Sequence, residues 1–251
     1  MTRKMGLHLS LNELRAVLRR SYEALYHHGY DFDVMARSCL WLETHGLDGI
    51  GLTLRSLPDL EKPCGELQLS EISTGCFELD GQGRCLIPFV NASADLAIAA
   101  AQDDGLGQID ILNVYGQLNI FAVLKKSARL NLYAAAIWYD EGEERTHILW
   151  LQPSSDLPNY YILNEVHQGP WGGSGLRFIC ANTSELVIKN IRAILTDDTI
   201  PYKTSEDFTA AYERALEEGV VVSPRAYAKL NKIADRLLVP STDASRKGAG
   251  E

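Results

Sequence analysis

The sequence predicts an α/β protein: a mixed sheet with crossover helices, flanked by helical segments at both ends. Three observations carry this. Residues 77–138 alternate strand-like and helix-like runs with clean punctuation, helical periodicity fills the first 60 residues and returns after 205, and residues 139–195 read as strand-like apolar runs. The expected organisation is an N-terminal helical segment over 1–60, a sheet core over 75–200, and C-terminal helices with a polar tail over 205–251. The last segment is expected to pack back on the first helices, making one unit.

Each element has a local cause. Ser10-Leu-Asn-Glu13 is a capping box, and Leu14, Val17, Leu18 and Leu25 then recur at helical spacing until Gly29. The residues ahead of the box read as a polar extension of that helix. A second helix, capped by Asp31, runs through Val34, Met35, Leu40 and Trp41 to Gly46, and the short link makes the two a close-packed pair. Asp48 caps a short helix through Leu54, ended by Pro58, and residues 57–74 read as polar loop. Strand-like residues around a GQGR turn, a small-residue helix over 91–105, a strand over 108–114, a helix over 117–130 and a strand over 132–138 follow. Two parallel strands joined by a crossover helix is the economical arrangement. Beyond the acidic loop DEGEER, residues 146–152, 159–166, 176–181 and 185–195 read as strands extending the sheet in antiparallel fashion. Helices are expected over 206–218, ended by Gly219, and from Ser223-Pro224 to about Leu237.

Composition bounds the function. A chain of 251 residues with 46% apolar and 23% charged residues can build its core without disulfides or metal. A net charge of −9 and a pI near 5.2 disfavour nucleic acid and anionic membranes as partners. The stretch from Arg225 onward carries six Lys and Arg against three acids, too small a patch to reverse this. No run reaches the roughly 20 apolar residues of a membrane span, so the expected compartment is the cytoplasm. Five cysteines at irregular spacings, with no C-x-x-C pair, read as free thiols.

No motif alone names a reaction. Asn113, Tyr115, Gly116 and Gln117 lie between a parallel strand and the next helix, where open α/β sheets bind ligands; a plain connection whose polar side chains cap the helix is the equal alternative. The cluster GPWGGSG over 169–175 matches neither phosphate-loop nor dinucleotide fingerprint and reads as a tight turn. His27, His28 and His45 sit at helix ends and read as solvated, while His147 and His167 are too scattered for a metal triad. The acids of the DEGEER loop read as a solvated hairpin turn, and the polar end around Thr242, Ser245 and Arg246 reads by composition as a terminus that frays.

The order HGLDGIGLTLRSL, then FELDGQGRCLIPFVNASADLAIAAAQDDGLGQIDILNVYGQ, resembles the NAD(P)-dependent malate/L-lactate dehydrogenase family that lacks a Rossmann fold. That family reads G-V-D-S-H-G followed by an Arg, later G-I-G, a strand and N-S-N-H-F-G. The resemblance covers about the first 140 residues and implies a shortened form of that scaffold, a homodimer, and NAD or NADP as possible cofactor. Asp48 matches the aspartate, Arg55 the arginine and Asn113 the first asparagine. Where the family carries its histidines this chain has Ile50 and, in the second motif, Tyr115 or Gly116. Loss of such a general acid typically costs roughly 10²- to 10⁴-fold. A second likeness joins WLETHGLDG to the end VPSTDASRKGAG, which is similar to an uncharacterised bacterial family ending in V-P-x-T-x-x-S-R-x-G-A-G. It raises Thr242, Ser245 and Arg246 to candidate ligand-binding residues, with Arg246 suited to pair with a carboxylate.

The expected function is binding of a small carboxylate-bearing metabolite through Arg55, Asn113, Gln117, Thr242, Ser245 and Arg246, with Asp48 and Tyr115 as candidate proton-moving groups and no metal. One alternative is a non-catalytic partner or regulatory subunit of another enzyme. Another is an NAD(P)-dependent oxidoreductase acting on 2-hydroxy or 2-oxo acids. A binding pocket requires Asp48, Arg55, Asn113 and the tail to converge on one cavity, whereas a partner role requires an exposed apolar patch.

Overall fold

The structure is a computed structural model that describes residues 6–25, 31–62, 65–164, 169, 174–192, 194–196 and 198–237. It opens with strand β1 (Leu7–Leu9), followed by helices α1 (Leu11–Ala24), α2 (Phe32–Thr44) and α3 (Gly49–Leu60). The capping box forms, since the Ser10 hydroxyl accepts from Glu13 N–H while the Glu13 carboxylate accepts from Ser10 N–H at 2.8 Å. Leu14, Val17, Leu18 and Tyr22 are buried on one face of α1. The expected stop at Gly29 lies outside the described residues. Ahead of Ser10 the chain is a strand rather than a polar extension of the helix, because Leu7–Leu9 finds Val220–Val222 to pair with. Asp31 caps α2 and Asp48 caps α3, each accepting the expected backbone N–H. α3 runs past Pro58 to Leu60, two residues beyond the expected stop. Pro58 loses one backbone hydrogen bond there, but Leu60, at 1% exposure, anchors the last turn in the helical core.

The central elements are β2 (Gln68–Ser73), β3 (Cys76–Cys85), α4 (Val90–Asp104), β4 (Leu106–Tyr115), a 3₁₀ turn (Gln117–Ile120) leading into α5 (Phe121–Arg129), β5 (Tyr133–Asp140), β6 (Arg145–Leu151), β7 (Asn159–Leu163) and β8 (Leu176–Ala181). Among the described residues they make a seven-stranded sheet in the order β2-β3-β4-β8-β5-β6-β7. β3 and β4 are parallel and joined by α4, as expected. β6 and β7 extend the sheet antiparallel, but β8 inserts between β4 and β5, antiparallel to both. β3, β4, β5 and β7 therefore run in one direction, and their carboxyl ends share one edge. β2 occupies residues expected to be loop. Its six residues are all exposed, so no apolar alternation betrayed it, and pairing with β3 makes it a strand. Gly107 is required by packing, because a Cβ there would lie 1.7 Å from the Ala97 carbonyl oxygen of α4.

The remaining elements are α6 (Ser184–Ile191), α7 (Ser205–Glu218), β9 (Val220–Val222), α8 (Pro224–Ala234) and a 3₁₀ turn (Asp235–Leu237). α6 corrects the strand expected over 185–195. Val187 and Ile191, four residues apart, are its buried pair and pack with Ile148 and Ile179 on the outer face of the sheet. The opposite face packs against α4 and α5. α8 lies on α1, where the buried Ser21 hydroxyl donates to Leu230 carbonyl at 2.9 Å. Cys39, Cys76, Cys85 and Cys180 are free thiols; burial pushes Cys180 up to about 12, so it is an inert core residue.

Candidate functional site

The carboxyl ends of the parallel-running strands open into a cavity of about 790 Å³. One wall comes from the start of α3 and the end of β4, the other from the β5–β6 hairpin and β7. Four candidates chosen from sequence, Asp48, Arg55, Tyr115 and Gln117, line it.

Their local geometry constrains what each can do. Asp48 is the N-cap of α3: Oδ1 accepts from Gly51 N–H at 2.8 Å and Oδ2 pairs with Arg55 Nη1 at 3.1 Å. Both side chains of that pair are 61% exposed, so the pair is worth at most about 1 kcal/mol and a bound anion can replace it. Tyr115 ends β4, and its hydroxyl donates to Asp59 Oδ2 at 2.5 Å. Burial and Asp59 push that phenol above its ordinary range, so it keeps its proton. Gly116 takes a left-handed turn, φ 78°, which reverses the chain so that Gln117 can donate to Val114 carbonyl at 3.0 Å. Asn113 does not line this cavity. Its own left-handed backbone, φ 50°, turns its amide toward β3, where it donates to Asp80 Oδ1 at 3.0 Å. Thr242, Ser245, Arg246, His27, His28, His167 and most of the 169–175 cluster lie outside the described residues; Ser174, at its end, lines the cavity and accepts from Val114 N–H.

The acidic loop is the expected exposed turn, with Asp140 Oδ1 accepting from Gly142 and Glu143 N–H. It is also the cavity's rim, and Arg145 pairs with Glu143 across it at 3.6 Å. Behind it lies an aromatic wall that sequence reasoning missed. Trp138 on β5 and His147 on β6 are register partners whose rings stack at 5.0 Å and 3°, and the His147 Nδ1 meets the Tyr160 hydroxyl of β7 at 2.6 Å. His147 is 6% exposed, and among the described residues its Nε2 is buried with no partner. An unsatisfied buried polar atom costs about 1–3 kcal/mol. The signal for this pairing was present in the sequence: a four-residue turn at 141–144 sets Asp140 opposite Arg145 and hence Trp138 opposite His147.

His45 is also corrected. It is buried, stacked on Trp41 at 4.0 Å and on Tyr212 at 5.3 Å, with Nδ1 2.7 Å from Trp41 carbonyl, and burial lowers it to about 4. It faces a second cavity, about 730 Å³, between α1, α2 and α7, whose charged walls are exposed side chains such as Arg15, Arg37 and Glu217. Among the described residues no group of three or more His, Cys, Asp or Glu is placed to hold a metal. No helix among them is long and apolar enough to cross a membrane.

The architecture is that of the malate/lactate dehydrogenase-like fold. Solved structures that share it include a malate dehydrogenase from Pyrococcus horikoshii OT3, with a TM-score of 0.67 and 12% identity over 95% of this chain and 98% of that one. The sulfolactate dehydrogenase of Methanocaldococcus jannaschii gives 0.62 and 10%, over 92% and 97%. The delta1-piperideine-2-carboxylate reductase of Pseudomonas syringae pvar. tomato gives 0.58 and 13%, over 90% and 99%. At such identities the likeness establishes the fold. No protein-family model matches the chain, and no curated protein matches it.

Among the described residues the donor set of the cavity does not fit a nicotinamide dinucleotide. A pyrophosphate there would face Asp140, Glu141 and Glu143.

Proposed function

We propose that the cavity at the sheet edge binds a small carboxylate-bearing metabolite. The observation that carries this is the convergence of Asp48, Arg55, Tyr115 and Gln117 on one wall of that cavity. Arg55 supplies the guanidinium, exchanging the exposed Asp48 carboxylate for that of the ligand. Thr242, Ser245 and Arg246 keep a role in the same recognition. The names of the structural neighbours support the ligand class: malate, sulfolactate and piperideine carboxylate are all small carboxylates. The protein works in the cytoplasm and pairs with a second copy of itself.

One observation favours the partner reading instead. β2 is an edge strand, and its Leu69 and Ile72 are 52% and 65% exposed, two apolar side chains that another chain would cover.

A thermal-shift panel of 2-oxo, 2-hydroxy and amino acids with NADH and NADPH separates the readings. A carboxylate at about 100 times its dissociation constant adds about 2.7 kcal/mol, and Arg55→Ala abolishes the shift. Stabilisation by a nicotinamide cofactor alone restores the oxidoreductase, and silence across the panel favours the non-catalytic partner.

A further inference from the structure

His147 enters the cavity wall from β6, a strand on which the sequence marked no site. Its surroundings constrain where its proton sits. Tyr160, at 3% exposure, has its hydroxyl 2.6 Å from His147 Nδ1, and burial pushes that phenol well above its ordinary range. Two arrangements satisfy the contact. If Nδ1 carried the hydrogen and donated to Tyr160, the Tyr160 hydroxyl hydrogen would need another acceptor, and among the described residues it has none. Both that hydrogen and Nε2 would then be unmatched. If Tyr160 donates to Nδ1, the hydrogen of the imidazole is on Nε2 and only that one group is left over.

We propose that His147 presents a neutral Nε2–H donor to the cavity, and that the bound metabolite accepts it with a carbonyl or carboxylate oxygen. The ligand half rests on the function proposed above, whereas the tautomer does not. Neutrality agrees with the surroundings: burial lowers the imidazole first, Asp140 and Glu143 of the hairpin raise it, Arg145 lowers it, and Tyr160 and Tyr202 face the same wall. Arg55 and His147 lie on opposite walls, one cationic and one neutral donor. That spacing suits a ligand whose carboxylate and second oxygen are separate groups. Nε2 is shielded from water, so an oxygen reaches it only once the His147 ring shifts toward the cavity, and the hydrogen bond then forms in a dry setting, where such bonds are stronger.

Ring-nitrogen NMR of the ¹⁵N-labelled full chain at pH 7 tests the tautomer without any ligand. The expected spectrum shows His147 as the Nε2–H form, with the preference lost in Tyr160→Phe; an Nδ1–H form or an imidazolium overturns the proposal. Pyruvate, titrated in the same sample, is expected to move the Nε2–H proton. In His147→Phe, which keeps a ring against Trp138, pyruvate affinity is expected to fall about tenfold. A saturated protein whose Nε2–H does not move overturns the ligand half and leaves a buried water as the partner. An Nε2–H signal in a chain that binds no carboxylate overturns the proposed function while the tautomer stands.

Discussion

Glu43 shows how burial turns a single side chain into a pH-dependent term. It accepts Ile50 N–H at 2.6 Å at the start of α3, and burial first, then the Asp48 charge, raise it from 4.5 to about 7. The folded chain holds this proton more tightly than the unfolded one, so its contribution is complete below pH 4.5 and is lost as pH rises through 7. His45 works in the opposite sense. Burial lowers it from 6.5 to about 4, so stability falls as pH drops through that window. The two slopes oppose each other in the overlap. Glu43→Gln keeps an acceptor for Ile50 N–H and removes one slope. Urea unfolding from pH 4.5 to 7.5 should then show stability rising with pH below 6.5 and no decline toward 7; a curve parallel to wild type would refute the assignment.

At the scale of elements, local chemistry and close packing carry separable costs. Thr204 caps α7 in a second capping box with Asp207, and Thr204→Ala should cost about 1 kcal/mol, read as a lower denaturation midpoint at unchanged slope. Gly107 is a tertiary case. A methyl at 1.7 Å from the Ala97 carbonyl oxygen must push α4 off β4, and because the obstacle is backbone, Gly107→Ala should cost at least the upper part of the about 1–3 kcal/mol range of overpacked cores. Thermal unfolding of the purified variant checks it. The element-level misreadings share this origin. β2 has no apolar alternation because both its faces are exposed, and α6 was read as a strand because its β-branched residues outweighed the four-residue spacing of Val187 and Ile191.

Across the whole molecule, an aromatic chain joins the helical layers to the sheet. Phe208 of α7 is fully buried, 6.0 Å from Trp41 of α2 and 5.7 Å from Phe121 of α5, and Phe121 meets Tyr160 of β7 edge-on at 5.1 Å. Lys203 adds a cation 5.4 Å above the Phe208 ring. Phe208→Ala should therefore cost about 3–5 kcal/mol and lower one cooperative transition rather than create two, as calorimetry would show.

The sequence by itself determined the local steps. Capping residues at Ser10, Asp31 and Asp48 start their helices through side-chain bonds spanning three residues, and Gly105 and Gly116 delimit α4 and β4. It also marked Tyr115 and Gln117, because the end of a parallel strand is a readable place, while Asp48 and Arg55 came from the family resemblance. Tertiary structure alone decided that β8 inserts between β4 and β5, that β2 and β1 find partners, and that His147, Trp138 and Tyr160 stand across the cavity from Arg55. The physical reason is range. Caps and periodicity act over one or two turns, whereas strand order and the shape of a cavity depend on contacts between residues as distant as Leu7 and Val222, whose energies no local pattern records.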